Sequence, residues 1–172
     1  LQFIHKQGIV HRDIKPDNLY IGGKDSAKPF VVYGDFGYAC IPAHEGACNR
    51  LLGSMGYFSK ETCAAYLIRR PLTEVELVDE DMFALGATLY FAANNMLPYQ
   101  FILNRFKEFA DSREKQVLQL QAVLNDYTGV ARPLYYDPVV DEVIGNLIDP
   151  YAGNRQSIAH LLAMLKFTLP EL

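Results

Sequence analysis

The chain has 172 residues, half of them hydrophobic, 12% aromatic and 21% charged, which is the make-up of one ordinary globular domain and excludes disorder, low complexity and a pair of large domains. Its net charge of −4, with no long basic stripe, argues against a nucleic-acid partner. Three cysteines, Cys40, Cys48 and Cys63, are too few for a disulfide framework, and their odd number fits a reducing intracellular compartment such as the cytoplasm.

The opening octet, LQFIHKQG, reads as the last two turns of a helix stopped by Gly8, so the chain looks amputated at its start. Short apolar pieces follow at Ile9-Val10, Leu19 to Ile21 and Phe30 to Tyr33, and are expected to be brief strands. Gly22 to Ser26 would turn the chain between the last two. Residues 37–56 show no periodicity and predict a loop of about twenty residues, long enough to be functional. The acidic run TEVELVDED, residues 73–81, reads as a solvated loop. Met82 to Ala93 is apolar on nearly every face and predicts a helix buried in the core; interrupted by Thr88, it is too short for membrane insertion. The stretch 100–127 is expected to be helical with unclear limits. Asp137-Pro138 is a helix start, with Val140, Val143, Ile144 and Leu147 as its apolar stripe. Ser157 would cap a last helix striped by Ile158, Leu161, Leu162 and Leu165.

Chemistry concentrates in HRDIKPDN, residues 11–18. Phosphoryl transfer needs a carboxylate to orient the attacking hydroxyl, a cation for the moving phosphoryl group and oxygen ligands for Mg²⁺. Asp13, Lys15 and Asn18 supply these types within eight residues, and Asp35 of DFG, residues 35–37, adds a second carboxylate after an apolar strand. HRD-x-K-P-x-N followed by DFG resembles the C-terminal lobe of a eukaryotic-type protein kinase of the serine/threonine type. The order continues through GSMGYFSKE at 53–61, DMFALGATLYF from Asp81, LPY at 97–99 and LIDPYAGNR at 147–155.

The resemblance implies a mainly α, kinase-like fold over residues 1–172, with short strands around the catalytic loop and an activation segment at about 35–61. It implies ATP and Mg²⁺ as cofactors and a protein substrate as partner. Asp13 would take the hydroxyl proton, Lys15 would neutralise phosphate charge, Asn18 and Asp35 would bind Mg²⁺, and Tyr20 would lie under the adenine. His11 and Phe36 would stack in an internal spine, Gly37 would let the backbone turn, and Ser54 would bridge Asp13 and Lys15. Asp81 would hold the catalytic-loop backbone, and Glu61 would pair with Arg155. Arg12 would meet an activating phosphate.

Several features depart from that pattern. No Gly-rich loop, strand lysine or helix glutamate precedes residue 11, so the resemblance implies a missing N-lobe and an isolated fragment without activity. SKE stands for A-P-E at 59–61, and no Ser, Thr or Tyr lies between Tyr38 and Ser54, which leaves Glu45 as a stand-in for the phosphate facing Arg12. Competing readings are a non-catalytic pseudokinase or C-lobe scaffold, and a small-molecule phosphotransferase of kinase-like fold. His5 and His160 read as structural, a zinc site at Cys40, His44 and Cys48 lacks a fourth ligand, and Cys40 is a candidate regulatory thiol.

Overall fold

The computed structural model describes residues 1–23, 28–44, 46–100, 112–126 and 137–168. Among the described residues, six α-helices and one two-stranded sheet are the main regular elements, so the fold is mainly α. Helix α1 (Gln2–Lys6) is one turn and a fraction, closed by bonds from Gly8 N–H to the His5 carbonyl and from Ile9 N–H to the Ile4 carbonyl. Strands β1 (Leu19–Gly22) and β2 (Phe30–Tyr33) pair antiparallel, with Leu19 opposite Tyr33 and Tyr20 opposite Val32. The turn expected between them falls mostly outside the described residues. Ile9-Val10 is not a strand: Val10 makes only an isolated bridge, to Cys40.

Helix α2 (Lys60–Leu67) begins at Ser59, whose hydroxyl accepts from Thr62 N–H. The SKE departure is therefore a helix N-cap, a site serine favours because its oxygen satisfies one of the orphan N–H groups. Helix α3 (Glu74–Asn94) corrects the reading of residues 73–81 as a solvated loop. Thr73 and Glu76 form a reciprocal capping box, and the acidic run is the first two turns of the buried helix. Its polar residues hid an apolar period, since only Leu77 and later residues are core.

Helix α4 (Arg113–Asp126) packs on α2, and helix α5 (Pro138–Leu147) packs on α3. Asp137 caps α5 through Val139 N–H at 2.8 Å, and Val143, Ile144 and Leu147 are buried as the stripe predicts. At Gly86 the α3 and α5 backbones meet so closely that a Cβ would lie 2.5 Å from Leu147 Cβ. Helix α6 (Ile158–Thr168) follows Ser157, whose hydroxyl accepts from His160 N–H at 3.3 Å. The main core joins Cys63 of α2, Phe83 of α3, Val117 and Leu124 of α4, and the loop residues Phe58, Tyr99 and Ile148.

The loop at 37–56 is more ordered than its lack of periodicity implies. A 3₁₀ turn covers Phe36–Tyr38, turns close from Ile41 to His44 and from Gly46 to Asn49, and Cys40 is bonded to Cys48 with their Cα atoms 5.7 Å apart. The cysteine count excludes a multi-bridge framework but not one local bridge, and the turns fold the segment back so that the two side chains meet. Cys63 stays a free, buried thiol. The zinc arrangement is absent among the described residues. No helix among them is long and apolar enough to cross a membrane.

Candidate active site

The HRD segment is fixed from below by α3. Asp81, 1% exposed, accepts from His11 N–H at 2.8 Å and from Arg12 N–H at 2.7 Å. His5 adds its Nε2 at 2.9 Å, so a histidine read as merely structural reaches the same carboxylate from α1. No signal in the local sequence marks this, because the contact spans 76 residues. Arg12 adopts φ 66°, a left-handed conformation costly for a side chain with a Cβ, and the two bonds to Asp81 help to hold it there.

This turn aims Asp13 into a compact cluster. Ser54 Oγ donates to Asp13 Oδ1 at 2.8 Å, Lys15 Nζ lies 2.9 Å from Oδ2, and Asn18 Nδ2 donates to Oδ2 at 3.0 Å. Lys15 Nζ also donates to Ser54 Oγ at 2.9 Å. A carboxylate offers about four acceptor directions. Three are taken, which leaves one for an incoming hydroxyl. Burial pulls the Asp13 pKa upward, but the hydrogen bonds from Lys15 and Ser54, the Lys15 charge and the Asn18 amide together outweigh it and hold the carboxyl below its ordinary value. The bond to Asp13 raises Lys15, against its burial. Both groups are thus charged at neutral pH. Gly53 makes the Ser54 approach feasible: at φ 121° its missing Cβ would lie 2.5 Å from the Arg12 carbonyl.

The sheet register brings the second carboxylate to the same place. Leu19 faces Tyr33, and Gly34 N–H donates to the Asn18 carbonyl at 2.9 Å, so Asn18 and Asp35 leave the same end of the sheet. Asn18 spends its amide N–H groups on Asp13, and its Oδ1 has no protein donor among the described residues. Asp35 is exposed, in the left-handed region, and its Oδ1 accepts from Gly37 N–H. One amide oxygen and one carboxylate fit Mg²⁺, which keeps most of its shell for water and phosphate oxygens. Tyr20 is 55% exposed, and its ring lies over Gly34.

His11 is fully buried; its Nδ1 accepts from Asp13 N–H, leaving Nε2–H for the Gly34 carbonyl at 3.0 Å. Phe36 meets the His11 ring with centroids 4.8 Å apart, yet stays 46% exposed. Its expected inward packing is therefore one-sided within this chain. Glu45, the stand-in proposed for a phosphate, lies outside the described residues.

The Arg155 side chain is 2% exposed and touches Glu61 at 3.2 Å, as its motif suggests. It also meets Asp79 at 2.5 Å, donates to the Asp149 carbonyl and covers the Phe83 ring. Asp79 and Glu80 went unassigned in the sequence. Successive helix residues point about 100° apart, so Asp79, Glu80 and Asp81 serve three different partners. Asp79 takes Arg155, Glu80 accepts from Ser59 N–H through both oxygens, and Asp81 takes the HRD backbone. Three consecutive acids on a helix that is otherwise buried are the signal that reveals them.

The loops of this mainly helical body thus bring together a buried aspartate, a paired lysine, an asparagine and a second aspartate. The protein kinase domain family matches residues 1–165, and the chain belongs to that family. A calcium and calcium/calmodulin-dependent serine/threonine-protein kinase of Oryza sativa subsp. japonica is 29% identical over 128 residues, covering 74% of this chain and 22% of the rice protein. The serine/threonine-protein kinase TOS3 of Saccharomyces cerevisiae is 32% identical over 154 residues, 80% of this chain and 25% of the yeast protein. An Aurora kinase of Eremothecium gossypii is 28% identical over 144 residues, 80% of this chain and 34% of that protein. The chain thus spans about a quarter of the length of the curated relatives it matches.

Proposed function

We propose that this chain is the catalytic floor of a serine/threonine protein kinase, which moves the ATP γ-phosphoryl group to a protein hydroxyl. The observation that carries the reading is the closed cluster of Asp13, Lys15, Asn18 and Ser54. ATP would supply the phosphoryl group, with Mg²⁺ on Asn18 and Asp35 offsetting its charge. Asp13 Oδ1 orients the substrate hydroxyl and takes its proton as the oxygen attacks. Lys15 holds Asp13 ionised and offers its charge to the transferring group. Ser54 fixes the geometry of both. Glu61, Arg155 and Asp79 tie the activation segment to the last helices, and Tyr20 supplies a flat face for the base.

Both faces of the sheet support a partner lobe. Ile21 and Val31 pair on one face, Tyr20 and Phe30 lie on the other, and all four are more than half exposed, apolar surface that water disfavours and another part of a kinase domain would cover. On this reading the 172 residues alone do not turn over, and a chain without its cover self-associates. A purified monomer that ignores a hydrophobic dye would contradict the covering lobe.

The test is Asp13→Asn in the intact protein, assayed with labelled ATP and peptide pools carrying Ser, Thr or Tyr. Transfer to Ser and Thr should fall by at least a hundredfold while the protein still folds cooperatively. Undiminished transfer would refute the role of Asp13, and absent transfer in the unaltered protein would favour a scaffold.

A further inference from the structure

Residues 39–53 hold no hydroxyl that could carry a phosphate. Arg12 nevertheless has partners in this segment. Its Nε donates to the Tyr38 carbonyl at 2.5 Å, and Nη1 donates to the Arg50 carbonyl at 2.9 Å. Cys40 and Cys48 each lie two residues inside those carbonyls, and a disulfide joins them. The cross-link therefore closes the base of a loop whose two ends Arg12 clamps.

The two halves of the bridge are anchored differently. Cys40 exchanges both backbone hydrogen bonds with Val10 at 3.0 Å, directly before the HRD residues. Cys48 packs with Cys40, Val10, Ala65, Leu72 and Leu77 in one small cluster, with Leu51 against it. Six residues after Cys48, Ser54 reaches Asp13. The disulfide thus ties the stretch that delivers Ser54 covalently to Cys40, which is itself hydrogen-bonded to Val10 beside the catalytic loop. Cys40 and Cys48 keep 7% and 9% of their surface open, whereas Cys63 keeps none, so the bridged pair borders solvent and the third cysteine does not.

We propose that Cys40–Cys48 is a reversible thiol–disulfide modification site that holds the activation segment on Arg12, the position a phosphoresidue would otherwise secure. Control of catalysis by this site rests on the kinase reading; the ordering of the segment does not. A dithiol reductant of the thioredoxin class opens the bridge in two exchanges. Its first thiolate attacks one sulfur, and the other sulfur leaves and takes up a proton. Its second thiol then resolves the mixed disulfide. The reductant loses two electrons and ends as a disulfide, and Cys40 and Cys48 end as thiols.

The experiment equilibrates the protein in graded ratios of reduced to oxidised glutathione, alkylates it while folded, and reads intact mass and amide hydrogen exchange. Two alkylations should appear on reduction and none on oxidation. Amides of residues 44–54 should exchange at least tenfold faster in the reduced protein, with those of α3 unchanged. A Cys40→Ser, Cys48→Ser variant should behave as the reduced form at every ratio; the reduced native protein gives the same comparison if that variant does not fold. Alkylation independent of the ratio, or equal exchange over 44–54 in both states, overturns the proposal. Redox-dependent exchange with no phosphoryl transfer by the intact protein in either state supports the thiol site and counts only against the kinase reading.

Discussion

Glu80 is the most informative single side chain to change. It is 7% exposed and accepts from Ser59 N–H at 3.1 and 3.2 Å. Burial pushes its carboxyl from 4.5 up to about 7, although bonds from Ser59 and Thr62 and the charge of Arg155 pull the other way. The usual carboxylate is lowered on folding; this one is raised, so the sign reverses. Between about 4.5 and 7 the folded protein holds a proton that the unfolded chain has released, and stability falls as pH rises through that window. At about 1.4 kcal/mol per pKa unit, the accumulated cost above pH 7 is on the order of 3 kcal/mol. Glu80→Gln keeps an acceptor for Ser59 and removes the charge. Urea unfolding at pH 5, 6, 7 and 8 should show the variant close to the native protein at pH 5 and more stable by up to roughly 3 kcal/mol at pH 8. Groups common to the two proteins cancel in the difference between them. Asp13 and Glu76 also stay out of the window, because both are lowered and their contribution is lost only as pH falls below about 4. A difference that stays flat from pH 5 to pH 8 would show that Glu80 is ionised at no cost and that the burial argument is wrong.

Arg155→Ala should cost about 3 kcal/mol in denaturant unfolding, since it strands Glu61 and Asp79 together; a loss under about 0.5 kcal/mol would mean solvent already screens the pair. Asp79→Asn should cost less, because burial disfavours its charge and Glu61 remains on Arg155. The Tyr99 hydroxyl is buried without a hydrogen-bond partner among the described residues, so Tyr99→Phe should raise stability by about 1 kcal/mol. A fall of that size instead would reveal a partner for the hydroxyl. Gly53→Ala should cost roughly 1–3 kcal/mol and displace Ser54 from Asp13, read as lost phosphoryl transfer along with a lower midpoint. Unchanged transfer would show that the Ser54 contact is dispensable.

The sequence alone determined the parts whose cause is local. Asp137-Pro138 starts a helix because the side chain and the ring act on their own backbone, and the stripe from Val140 to Leu147 follows from the helical period. The spacing of Asp13, Lys15 and Asn18 within one tight loop made their meeting legible, since a chain of six residues leaves little room to part them. Tertiary structure decided what depended on distant partners. The acidic run at 73–81 reads as solvated because its composition is polar, yet Asp79 and Glu80 join Asp81 in being consumed by elements elsewhere in the chain. His5 reaches Asp81 across 76 residues, and Cys40 meets Cys48 only because successive turns fold the segment on itself. Composition reports what a residue prefers in water. Which acid has a cation or an N–H waiting for it is set by packing, and packing appears only when the whole chain is folded.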